Sequence, residues 1–117
     1  MRLIGLVTTV ALLGACATTG PAPNLGEPAE ELRTAQRMIE SAVEAGGDSL
    51  AVLSMNEARA ALREAQSSES SKSWSVLKAR EATASAAYAR AMAGRVRAEK
   101  ARTDAASALN ALPPEGN

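Results

Sequence analysis

Residues 84–112 read ASAAYARAMAGRVRAEKARTDAASALNAL. Within them Ala84, Ala87, Ala91, Gly94, Ala98, Ala101, Ala105 and Ala108 follow one uninterrupted three-four alternation, the spacing that keeps a line of side chains on one helix face. Such a line buries little area per residue, but it lets another helix come close, with a gain from dispersion and backbone proximity. Leu77, Leu109 and Leu112 extend it with larger side chains. The stretch therefore predicts a long helix over residues 74–112, stopped by Pro113-Pro114 and approaching about 60 Å at 1.5 Å per residue, with this line as its packing seam.

Working toward the N-terminus, residues 67–73 (SSESSKS) read as a turn, because serines compete for backbone hydrogen bonds; Ser73 is the expected cap of the long helix. Upstream, Ala51, Met55, Ala58, Leu62 and Ala65 alternate by four and three, which predicts a helix over 49–66 capped by Asp48 or Ser49. Leu32, Ala35, Ile39, Ala42 and Val43 predict another over 28–45. Pro28 suits its first turn, Glu27, Glu30 and Glu31 suit the positive end of its dipole, and Ala45-Gly46-Gly47 ends it. The expected fold is all-α: a three-helix up-down-up bundle whose alanine-rich third helix projects beyond the first two. The alternative is a long helical hairpin whose first arm is kinked at Gly46-Gly47. A glycine pair followed by a capping residue favours the true reversal. Trp74 and Tyr88, fourteen residues apart and hence on one face, are expected core anchors.

Composition agrees with helix. The chain is rich in Ala, Glu, Arg and Leu, which lose little side-chain entropy in a helix, and poor in the β-branched and aromatic residues that build sheets. The region 28–112 has room for one small domain, near the lower limit for folding alone, so a partner or self-association is expected to add stability.

Charge is balanced in total, with 13 basic and 13 acidic residues, but it is segregated along the chain. Residues 27–69 are predominantly acidic, whereas Lys72, Lys78, Arg80, Arg90, Arg95, Arg97, Lys100 and Arg102 face only Glu81 and Glu99 over 72–102. An acidic hairpin is expected to face a basic helix, and Arg90, Arg95, Arg97, Lys100 and Arg102 form a candidate anion-binding stretch. Peptidoglycan and lipopolysaccharide are the anionic polymers such a stretch could hold. No base-reading motif is present and aromatics for stacking are few, which argues against nucleic acid.

At the N-terminus, Arg2 precedes an eleven-residue apolar run, Leu3–Leu13, the length of a signal-peptide core and too short for the roughly 20 residues that span a bilayer. Leu13-Gly14-Ala15-Cys16 resembles the bacterial lipobox. Residues 1–15 are thus expected to be a lipoprotein signal peptide, and Cys16, the sole cysteine, to carry diacylglycerol and an N-acyl chain, enough for stable anchoring. By the same resemblance Ala17 in place of Asp points to the periplasmic face of the outer membrane rather than the inner membrane. Residues 16–27 form a tether, rich up to Pro28 in proline and glycine, and 113–117 form a short tail.

Catalysis has little to work with: there is no His, no Gly-rich phosphate loop, and no Glu-x-x-His pair of the kind di-iron bundles use. The expectation is a non-enzymatic protein that needs neither cofactor nor metal.

The segments Ala35–Ala42 (AQRMIESA), Ala45-Gly46 and Asn56–Ala65 (NEARAALREA) are similar to the domain-of-unknown-function 4398 family of bacterial envelope lipoproteins, and Ala79–Ala82 leading into Ala87-Tyr88-Ala89 resembles that family's third helix. The resemblance covers most of the region after the tether. It implies an envelope lipoprotein with helical segments and carries no catalytic residues. Relatives tend to have a Gly-Asp-aromatic turn where this chain has its serine run. Some also carry a cell-wall-binding domain after the helices, whereas this chain ends at Asn117, so peptidoglycan binding is not implied by the resemblance.

Overall fold

The computed structural model describes residues 26–67 and 69–115. Four helices follow one another: α1 (Pro28–Glu44), α2 (Gly47–Leu50), α3 (Val52–Gln66) and α4 (Lys72–Ala111). Helix α1 runs parallel to α4: Glu27 meets Lys72 at one end, and Gly46 lies under Arg97 at the other. Helix α3 returns antiparallel, with Glu64 beside Lys78, and Met55 clustered with Ala86 and Ala89. The all-α, up-down-up bundle is the observed fold. The kinked-hairpin alternative would set α1 and α3 against different lengths of α4. Instead, Ala35 of α1, Ala61 of α3 and Ala82 of α4 share one buried cluster.

The reversal between α1 and α3 uses its two glycines for different reasons. Gly46 adopts φ 91°, a left-handed conformation that a Cβ disfavours. Gly47 is buried where a Cβ would stand 2.8 Å from the Ala42 carbonyl oxygen and 3.0 Å from Met55 Sδ, so it permits a close approach. Asp48 and Ser49, expected as caps, do not cap a helix. They lie within the four-residue α2, where the Ser49 hydroxyl donates to the Gly46 carbonyl at 3.2 Å and Asp48 pairs with Arg59 at 2.7 Å. The reason is that the backbone, starting from Gly46, turns through α2 first, and α3 starts only after Ala51.

At the second reversal the Ser71 hydroxyl accepts from the Trp74 backbone N–H at 3.2 Å, so Ser71 rather than Ser73 is the cap and α4 starts at Lys72. The Ser70 hydroxyl donates to the Glu64 carbonyl at 2.9 Å and ties the turn back to the end of α3.

The core consists almost wholly of small side chains. Ala35, Ala42, Ala58, Ala79, Ala82, Ala86, Ala89 and Ala93 are fully buried, and the largest fully buried side chains are Met55 and Val76. Three helices joined through alanine leave no room for a ring between them, which corrects the expectation for the aromatics: Trp74 is 44% exposed and Tyr88 58%. The Trp74 ring instead carries the Lys78 ammonium 5.0 Å from its centre.

The segregated charges meet as the sequence implied. Arg80 bonds Glu31 at 2.9 Å, Lys78 lies 3.5 Å from Glu64, and Lys72 lies 3.7 Å from Glu27. Water and salt screen such pairs near the surface, so these contacts select partner and register more than they add stability.

Candidate functional site

Helix α4 is longer than the bundle it belongs to. Its buried residues are Ser75, Val76, Ala79, Ala82, Ala86, Ala89 and Ala93; every described residue from Gly94 onward is exposed. Beyond Arg97 the arm continues for fourteen helical residues, about 21 Å at 1.5 Å per residue. It stays helical because it propagates from a nucleated helix, alanine favours the conformation, and Lys100 bonds Asp104 one turn on at 2.7 Å.

The seam predicted from sequence is not the one that holds α4 in the bundle. Ala84, Ala87, Ala91, Gly94, Ala98, Ala101, Ala105 and Ala108 are all exposed. The bundle seam has the same three-four period in a different register, through Ala79, Ala82, Ala86, Ala89 and Ala93. At 100° per residue the two lines lie about 140° apart around the helix. The intramolecular seam loses its apolar character beyond Val96, where Lys100, Thr103, Asp104 and Ser107 continue its line. The exposed stripe does the opposite: Arg80 interrupts it near the start of α4, and it ends in Leu109 and Leu112, 69% and 64% exposed.

Two features of the stripe are unexplained by the bundle. Gly94 sits inside a 40-residue helix, where glycine costs about 1 kcal/mol relative to alanine, yet an added Cβ would meet nothing within 4 Å. Neither a turn nor a close neighbour among the described residues calls for it. Lower on the stripe, a shallow groove between α1 and α4 is lined by Met38, Ala87, Arg90 and Ala91. The stripe thus continues from the free arm down the outer side of the bundle.

The candidate anion-binding side chains divide into two sets. Arg97 lays its guanidinium over Gly46, with Nη2 2.8 Å from where a Cβ would be, and Lys100 is paired with Asp104. These two are engaged within the chain, because one lies level with the α1 turn and the other one helical turn from a carboxylate. Arg90, Arg95 and Arg102 are exposed and form no ion pair among the described residues.

Charge effects elsewhere are local. A hydrogen bond from Arg59 holds the Asp48 carboxyl below its ordinary pKa, with burial opposing and the guanidinium charge assisting. A hydrogen bond to Glu81 raises the Lys78 ammonium above its ordinary value, with Glu64 adding to the effect and burial opposing it. Among the described residues no group of three or more His, Cys, Asp or Glu is gathered as for a metal ion, and no helix is long and apolar enough to cross a membrane. Leu13, Gly14, Ala15 and Cys16 lie outside the described residues, as does most of the tether.

No protein-family model, curated protein or solved structure matches this chain.

Proposed function

We infer that this protein is a membrane-anchored bacterial lipoprotein whose non-catalytic helical domain mediates helix–helix association in the cell envelope. The observation that carries the association is the exposed stripe of α4, which runs from Ala84 to Ala108 along a helix that outlasts its own bundle. The lipobox-like Leu13-Gly14-Ala15-Cys16 supports the anchor, with acyl chains on Cys16 and, from Ala17, the periplasmic face of the outer membrane as the site.

Palmitate labelling of the full chain tests the anchor: label enters the wild type, whereas Cys16→Ser takes up none and leaves the membrane fraction. Equal labelling of the two would remove the anchor from the account. Photocrosslinkers placed along α4 in cells test the association. Discrete adducts are expected from positions 91, 98 and 105 and none from 103 and 107; no difference between the two sets would contradict it.

A second reading is favoured by Arg90, Arg95 and Arg102, which have no acidic partner among the described residues. In it the basic face holds an anionic polymer such as peptidoglycan or lipopolysaccharide. Salt-sensitive retention of the full chain on isolated cell wall or lipopolysaccharide, lost when these arginines become Gln, would select this reading over helix association.

A further inference from the structure

We propose that α4 pairs with the α4 of a second copy of this chain, antiparallel and about a two-fold axis beside Ala93. This rests on the helix-association reading and names the partner. The surface that carries it is a line of large exposed side chains, of which the alanines are only the small half.

Trp74, Leu77, Tyr88, Leu109 and Leu112 are, apart from Val96, the large apolar side chains that α4 and its C-cap leave exposed. All of them fall on one three-four alternation that runs the length of the helix. Between them the same alternation places Glu81, Arg95 and Arg102 at its one set of positions and Ala84, Ala91, Ala98 and Ala105 at its other. At the middle of the line Tyr88 and Arg95 lie about 140–160° round the helix from the buried Ala93, so a helix laid along it clears α1 and α3.

A second copy is selected because this line complements itself when reversed. Turned end for end about Ala93, it sets Tyr88 against the partner's Ala98, Arg95 against the partner's Ala91, Arg102 against the partner's Ala84 and Glu81 against the partner's Ala105. Each large side chain along the middle then has a small one opposite, and the backbones can approach closely. At the ends apolar meets apolar, Trp74 with the partner's Leu112 and Leu77 with the partner's Leu109. Charge follows the same symmetry. Glu81, bonded to Lys78 in its own chain, comes within about one helical turn of the partner's Arg102, which forms no ion pair among the described residues. Gly94 falls beside the axis with open space where its Cβ would be, which gives that glycine the reason the bundle lacks. A parallel pair in register loses this fit, since it stacks Glu81, Tyr88, Arg95 and Arg102 each on its own copy.

From Trp74 to Leu112 the contact is about 57 Å long and about 10 Å wide, roughly 1,100 Å² over both copies. That is the lower end of specific interfaces, so a dissociation constant of about 10–100 µM is expected and the dilute purified chain is a monomer. Membrane anchoring raises the local concentration and favours the pair.

The test uses the full chain carrying Cys16→Ser, in sedimentation equilibrium and in oxidative crosslinking. Mass is expected to rise from monomer to dimer toward 100 µM, as that affinity sets. Leu109→Glu is expected to weaken the dimer about tenfold or more while the thermal midpoint of the dilute chain stays in place, because Leu109 is exposed in the single chain. Arg95→Leu is expected to tighten it, since the two Arg95 side chains are the like charges that the pair brings nearest. For orientation, Leu77→Cys mixed with Leu109→Cys is expected to form disulfide dimers, and neither variant alone, because a disulfide needs Cα atoms within about 7 Å.

Disulfides from Leu109→Cys alone, a weaker dimer in Arg95→Leu, or an equal loss in Ser107→Glu on the other side of the arm would overturn the antiparallel pair. A monomer throughout, with cellular crosslinks from positions 91 and 98 to a protein of another size, would overturn the second copy and leave helix association standing. A monomer with no cellular crosslinks would remove both.

Discussion

The two halves of α4 use nearly the same residues to opposite ends. From Lys72 to Ala93 the helix is a wall of a bundle, and Ala79, Ala82, Ala86, Ala89 and Ala93 are closed off by α1, α2 and α3. From Gly94 onward every described residue is exposed, and beyond Arg97 the alanines of the arm face solvent. Alanine serves both because it is the best helix former and has no side chain that must be hidden. The apolar line also changes direction between the halves, so the arm is more than a bundle helix left too long. Its stripe points away from the groove that α1 and α3 occupy.

That contrast is sharpened first by the largest side chain in the core. Met55→Ala is expected to destabilise the domain by about 2–5 kcal/mol, since Met55 is fully buried among alanines that cannot collapse around the void. Leu109→Ala in the arm is expected to change stability by no more than about 0.5 kcal/mol. Urea denaturation compares them, and similar losses would mean that the arm is folded against the bundle.

Next in size is overpacking. Ala86→Leu is expected to cost about 1–3 kcal/mol because α1 and α3 meet α4 there, while Ala105→Leu leaves the denaturation midpoint in place. A neutral Ala86→Leu would break the assignment of the bundle seam.

The glycines extend the contrast with a change of sign. Gly94→Ala is expected to stabilise the isolated chain by about 1 kcal/mol, since it removes a helix-interior glycine at a position with free space. Gly47→Ala is expected to destabilise it, because its Cβ would face a backbone oxygen at 2.8 Å. Thermal melts of both variants read the two signs directly.

The smallest effect is acid sensitivity at the end of the bundle where α4 leaves it. Asp48 has a lowered folded-state pKa, so the stabilisation from its bond to Arg59 is present above the unfolded value near 3.8 and is lost as pH falls through the folded value. Asp48→Asn is expected to flatten the acid limb of the stability curve below about pH 4 and to leave its alkaline limb unchanged. An unaltered acid limb would remove that pair from the account.

The helices were legible in the sequence because their punctuation is strong. Pro28, Gly46, the serine run and Pro113-Pro114 bound segments of clear three-four period, and the up-down-up order follows from them. The side of α4 that faces the bundle was not legible. Two alanine lines share the same period, and the longer one, from Ala84 to Ala108, proved to be the exposed one. Arg80 was the available signal: it interrupts that line four residues before Ala84, whereas the other line runs back unbroken to Val76 and Ser75. Trp74 and Tyr88 misled for a related reason. Rings usually mark a core, but a core of alanines is too thin to hold one.

The claim that one helix carries a filled seam and a free one is tested most directly by cysteine accessibility, comparing the purified chain carrying Cys16→Ser with native membranes bearing the full anchored protein. Single cysteines at 82, 89, 91, 98 and 107 are challenged with a maleimide. In the purified chain, positions 91, 98 and 107 are expected to label quickly and 82 and 89 slowly. In membranes, with Cys16 retained and acylated, 91 and 98 are expected to become protected while 107 stays reactive. Equal labelling of 98 in both settings, or fast labelling of 82 in the purified chain, would contradict the account.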